Sequence, residues 1–193
     1  MGTIRDRHPY KRDPTMFPPI KPDHAQAIGY VAAHWSLVEE SLTVVIGFLL
    51  RLPQTVREAL TAEINTLNRT LIISALLEVG ADQELLDEWH LLRREFDDLR
   101  VRRNDVVHAA WRVVEPGHYS KRIKARSKFK VEFKPVATEE LAKLSKEIVE
   151  FADKMVSLIS GIIFSNVPER LADHLVAVPG TPMIPRRQEG QSL

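Results

Sequence analysis

Residues 82–108 read DQELLDEWHLLRREFDDLRVRRNDVVH. Leu85, Trp89, Leu92, Phe96 and Leu99 recur in steps of three and four, and Val106 and Ala110 resume the series, which is the period of a helix that buries one face. Asp82 carries the short side-chain oxygen that accepts an amide bond at a helix N-terminus, so the helix starts there. At Arg103 the stripe calls for an apolar side chain and receives a guanidinium. An unpaired buried charge is costly, so something anionic should face it. Within the chain the candidates are Glu39 and Glu40, and Glu39 is the supporting residue of choice because it lies one turn from Trp35 and Leu42, beside that helix's own seam. From outside the chain a phosphate serves as well, since a guanidinium can donate two parallel hydrogen bonds to it.

The same period organises the segments on either side. After Asp23, the residues Ile28, Val31, Trp35, Val38, Leu42, Val45 and Leu49 form one stripe on a helix of about 28 residues, roughly 42 Å long at about 1.5 Å per residue. Pro53 opens a short helix to about Ile64, and a third runs from about Thr66 to Val79 with Gly80 as its C-cap. Beyond Trp111 the period becomes alternating, in Trp111 and Val113, Ile123, then Phe129, Val131 and Phe133, around a turn at Glu115, Pro116 and Gly117. This predicts a β-hairpin of two or three strands at about 111–135. Helix returns from Ala137 to about Asn166 on the stripe Leu141, Leu144, Ile148, Phe151, Met155, Leu158 and Ile162, and Pro168 interrupts it.

The expected fold is mainly α, an antiparallel helical bundle of four to five helices with a small inserted β-hairpin. Residues 1–22 hold five prolines among charged residues and read as a flexible arm, 23–166 as the bundle, and 167–193 as an irregular Pro-rich tail in which Leu171, Leu175 and Val176 could dock a short turn on the body. The long stripes are narrow for the core of a monomer, and such a seam often continues across a two-fold axis, so a homodimer is expected.

Composition narrows the chemistry. A chain of 193 residues with 44% hydrophobic and 27% charged residues is long enough for one domain with a full core. With no cysteine there are no disulfides, thiolate metal sites or cysteine nucleophiles. No apolar run approaches a membrane span, the N-terminal residues lack a signal-peptide core, and a cytoplasmic protein is expected. The net charge of +1 carries no argument for nucleic acid, so that argument must rest on how charge is distributed. Lys121, Arg122, Lys124, Arg126, Lys128, Lys130 and Lys134 concentrate it on the hairpin. Of these, Lys124, Arg126, Lys128 and Lys130 are the candidate RNA-binding residues, a phosphate track; lysines that protect an exposed sheet edge from pairing would look the same.

Arg103, Asn104 and His108 are the candidate catalytic residues. A histidine, whose reference pKa is about 6.5, can take the proton of a ribose 2′-hydroxyl or give one to the leaving 5′-oxygen. Arginine can stabilise the charge of the phosphorane oxygens, and asparagine can orient either the imidazole or the phosphate. On one ideal helix Arg103 and His108 stand about 140° apart at about 100° per residue. They converge only if the helix loosens before His108 or a second subunit supplies one of them. His8, His24, His34, His90, His118 and His174 show no ligand spacing, and no metal or other cofactor is expected. His34, beside Trp35, reads as a residue at the edge of the seam.

The arginine, the following polar residue and the histidine, with four residues between Arg103 and His108 at the end of a late helix, resemble the HEPN superfamily. The long first helix with Trp35-Ser36-Leu37-Val38-Glu39-Glu40-Ser41-Leu42 is similar to that family too. The resemblance implies a metal-independent endoribonuclease, a dimer whose two motifs line one cleft, which leaves 2′,3′-cyclic phosphate ends and spares DNA. It also implies a place in bacterial defence or toxin–antitoxin systems, with RNA as partner and room for a regulatory protein. Two alternatives stay open: a catalytically inactive HEPN-like module that binds nucleic acid or protein, and a structural dimerisation protein in which Arg103 is tied to Glu39.

Overall fold

The computed structural model describes residues 20–114, 117–124 and 130–176. Helix dominates them, in the order α1 (Pro22–Leu49), α2 (Gln54–Ala62), α3 (Thr66–Gly80), α4 (Gln83–Val107), β1 (Ala110–Val114), β2 (Gly117–Lys124), β3 (Lys130–Pro135), α5 (Thr138–Phe164) and α6 (Val167–Val176). Among the described residues no helix is long and apolar enough to cross a membrane. The strands form one antiparallel sheet in the order β1-β2-β3. Its register sets Trp111 opposite Ser120 and Ser120 opposite Lys134.

Among the described residues six helices stand where four to five were expected, and the additional one is α6, in the tail segment where at most a short docked turn was expected. Pro168 does not break helix here because it occupies the second position, where an amide has no partner to lose. Val167 and Leu171 are buried, which gives this amphipathic turn a reason to dock. Residues 1–19 and 177–193 lie outside the described residues, as do Glu115 and Pro116 of the expected turn.

The helix ends follow local chemistry. Asp82 caps α4 by accepting the Leu85 amide at 3.1 Å, and Asn65 caps α3 by accepting that of Asn68 at 2.9 Å. After α1 the Leu52 amide reaches the Gly47 carbonyl at 2.9 Å and the Arg51 amide reaches Phe48 at 3.2 Å, with Arg51 left-handed at φ 51°. That pairing is a Schellman end, closed by arginine where glycine is usual.

The chain divides into two compact units. One is built from the described residues of Met1–Trp35 with Asp98–Ile148, and its buried apolar side chains include Val31, Trp35, Leu99, Val106, Leu141, Leu144 and Ile148. The other comprises Ser36–Asp97 with the described residues of Val149–Leu193, and it buries Leu42, Ile46, Ile73, Trp89, Phe96, Phe151, Met155 and Leu158. Every apolar position expected on the α5 stripe is buried, and on α1 all but Ile28 are.

In the second unit Arg69 donates to the carbonyls of Ile64, Thr61 and Glu39 at 3.0, 2.8 and 3.1 Å, which fastens the α2–α3 connection to α1. Gly80 is the last residue of α3, followed by an extended Ala81, and is not a left-handed cap. Its role is proximity: a β-carbon there would stand 3.0 Å from Leu171 Cγ and 3.1 Å from Val167 Cγ1 on α6. Gly80→Val should therefore lower stability by about 1–3 kcal/mol, read as a drop in the urea midpoint with an unchanged slope, whereas a solvent-side change such as Glu78→Ala should leave the midpoint nearly in place.

Candidate functional site

The motif belongs to the first unit, at the C-terminal end of α4. The helix holds its period to the end, and the His108 amide still bonds the Asn104 carbonyl at 3.1 Å. Of the two routes to convergence, loosening of the helix before His108 is therefore not the one α4 takes. Arg103 and Asn104 are half-buried, and His108 is exposed. Among the described residues the His108 imidazole makes no hydrogen bond.

Among the described residues Arg103 has no carboxylate partner. Its guanidinium carbon lies 5.6 Å from the centre of the Trp35 ring, and Nη1 donates to Asn104 Oδ1 at 3.1 Å. Nε is buried without a hydrogen-bond partner among the described residues. The electron-rich face of an indole stabilises the cation by about 0.5–2 kcal/mol without neutralising it. Glu39, the expected supporting residue, belongs to the other unit, and its carboxylate accepts the Thr66 hydroxyl at 2.8 Å.

The neighbouring cation behaves differently. Arg102 donates to Asp98 at 3.1 Å and lies 2.6 Å from Glu147. Burial works against its charge, but the hydrogen bonds to Asp98 and Glu147 and their negative charges outweigh it and raise its pKa above the usual guanidinium value.

Beside this helix end lies a cleft of roughly 340 Å³, walled by Arg102, Asp105 and Val106 of α4, Trp111 of β1, Lys134 of β3, and Glu140 and Lys143 of α5. The Trp111 indole is held by a bond from Nε1 to the Val106 carbonyl at 3.0 Å and by the His24 ring at 4.9 Å in a T-shaped contact. His24 is fully buried, with Nδ1 3.2 Å from Thr138 Oγ1, and half-buried His34 has Nδ1 2.8 Å from Ser145 Oγ. Both histidines thus tie α1 to α5 within this unit, and His34 sits at the seam edge as its place beside Trp35 suggested.

Of the candidate RNA-binding residues, Lys124 and Lys130 are paired across the β2–β3 ladder. Arg126 and Lys128 lie outside the described residues. Among the described residues no group of three metal-ligating side chains occurs. The cleft is not legible in the sequence, because its two walls, residues 102–111 and 134–144, are brought together only by tertiary packing. The one available signal was His24, seven residues before Val31 and so on the apolar stripe of α1.

Searches against family models, curated proteins and solved structures found no match to the chain. The site is thus interpreted from its own chemistry. Because Arg102 and Glu147 are 39% and 28% exposed, their bridge is screened by solvent, and Glu147→Gln should cost no more than about 1 kcal/mol of unfolding free energy, with the loss shrinking as salt is raised.

Proposed function

We propose that this protein is a metal-independent endoribonuclease of HEPN type that acts as a cytoplasmic homodimer. The observation that carries the reading is the state of Arg103: a guanidinium beside an indole, with no carboxylate partner among the described residues and with a buried, unbonded Nε. A phosphate would supply the anionic partner that the guanidinium lacks among the described residues.

In the proposed reaction His108 removes the proton from the ribose 2′-hydroxyl, and that oxygen attacks the adjacent phosphorus. The bond to the 5′-oxygen breaks, leaving a 2′,3′-cyclic phosphate and a 5′-hydroxyl once the leaving oxygen is protonated. Arg103, oriented by Asn104, stabilises the charge on the non-bridging oxygens. Since α4 stays helical to His108, the His108 that faces one copy's Arg103 comes from a second copy. Val101, half-exposed and two turns before His108, lies along the same side of α4 and gives such a contact an apolar point. Lys124 and Lys130, with Arg126 and Lys128, would follow the RNA backbone through its phosphates.

One observation favours a second reading, a catalytically inactive HEPN-like binding module. A general base is usually oriented by a second group, and His108 has none among the described residues. Incubation with mixed RNA in EDTA separates the two: the ribonuclease reading predicts cleavage to cyclic-phosphate ends, with at least about a 100-fold loss in Arg103→Ala and in His108→Ala. Cleavage that is equal in wild type and variants, or absent, removes it, and retained RNA binding without cleavage leaves the binding module.

A further inference from the structure

The cleft at Trp111 is too built to be only the rim of the proposed cleavage site. Its roughly 340 Å³ lies at the lower end of the range of small-molecule pockets, enough for one nucleotide and not for a duplex. Trp111 is half-buried and fixed on two sides, by the Val106 carbonyl and by His24, so the part turned to the cleft is a rigid aromatic wall. Unstacked RNA bases are commonly bound on such walls.

The charges around that wall are specific in what they leave over. Arg102 is committed to Asp98 and Glu147. Asp105 is also engaged. Glu140 is exposed, and among the described residues its carboxylate has no hydrogen-bond or ion-pair partner. Lys143 is 78% exposed and among the described residues reaches only Glu147, at 4.0 Å, whereas Lys134, although exposed, is engaged elsewhere. The cleft therefore offers one aromatic wall, one carboxylate without a partner among the described residues, and one outward ammonium group, that of Lys143.

We propose that this cleft is a guanine subsite for a single-stranded RNA: the base lies against Trp111, its N1–H and N2–H donate side by side to Glu140, and its phosphate is held by Lys143. The selectivity follows from donor patterns. Guanine alone presents two adjacent donors on its Watson–Crick edge, while adenine and cytosine would set a ring acceptor against the carboxylate and uracil would set a carbonyl on each side of its single N–H. The position fits as well. Asp105 and His108 are three residues apart on a helical backbone, so the cleft wall and the imidazole are neighbours on one face of α4. That RNA is the source of the guanine rests on the ribonuclease reading; the recognition chemistry does not.

The test uses tryptophan fluorescence of the full chain. Trp35 and Trp89 are 2% and 1% exposed, so quenching on binding reports Trp111. The ligands are GMP, AMP, CMP and UMP, and 2′-O-methyl oligoribonucleotides of uridines with one central guanosine or adenosine, which cannot be cleaved through the 2′-oxygen. Saturable quenching is expected with GMP and with the guanosine strand, at least about tenfold tighter than with the adenine counterparts. Glu140→Gln should erase that preference, and Lys143→Glu should weaken all nucleotides alike; both changes are at exposed positions. No quenching, equal affinity for all four nucleotides, a preference that survives in Glu140→Gln, or GMP binding without binding of the guanosine strand each overturns the proposal. Guanine-selective binding by a chain that does not cut RNA would remove the ribonuclease reading and keep the recognition chemistry, and cleavage without guanine selectivity would do the reverse.

Discussion

The last hydrogen bond of α4, from the His108 amide to the Asn104 carbonyl, governs the interpretation of this molecule. It keeps the helical period of about 100° per residue running through the whole motif, so Arg103 stays half-buried against Trp35 while His108 stands in solvent about 140° away around the axis. A histidine and an arginine separated in this way cannot grip one phosphate from a single helix. The period thus ties the chemistry to assembly: either these residues belong to one site made by two chains, or they belong to no common site.

Two consecutive arginines meet opposite fates on the same helix. Arg102 faces outward, where Asp98 and Glu147 take up its charge. Arg103 faces inward, where Trp35 offers polarisable carbon and Asn104 a neutral oxygen. The indole lowers the cost of holding the cation half-buried and leaves its charge unspent. A carboxylate in the same place would have closed the guanidinium to any outside anion. In the proposed function that charge is what meets a phosphate, at the expense of the stability that an apolar residue at this position of the stripe would contribute.

Much of this was legible in the sequence, and the limits have physical causes. The stripes of α1, α4 and α5 could be read because a helix that buries one face must repeat its apolar residues, whatever packs on it. Gly80 was misassigned because a glycine at a helix end signals equally a left-handed cap and a close approach, and only the nearness of Val167 and Leu171 decides which. The long helix does end before Pro168, at Phe164, but α6 then starts at Val167 and runs through it, because a proline at the second residue of a helix has no amide bond to lose. The charge of Arg103 demanded compensation, but charge alone did not say that an aromatic face would provide it. The Trp111 cleft was invisible because the end of α4 and β1 meet β3 and the start of α5 only through tertiary packing, and no local pattern encodes that meeting.

The central claim is that Arg103 of one copy works with His108 of another, and mixing two inactive proteins tests it directly. Arg103→Ala and His108→Ala chains are denatured together, refolded and assayed for RNA cleavage beside each variant refolded alone. A mixed dimer holds one intact pair across its interface, so the mixture should recover between roughly a tenth and a half of wild-type activity while each variant alone stays near its floor. A mixture no more active than its parts, from chains shown to form mixed dimers, would contradict a site shared between two copies.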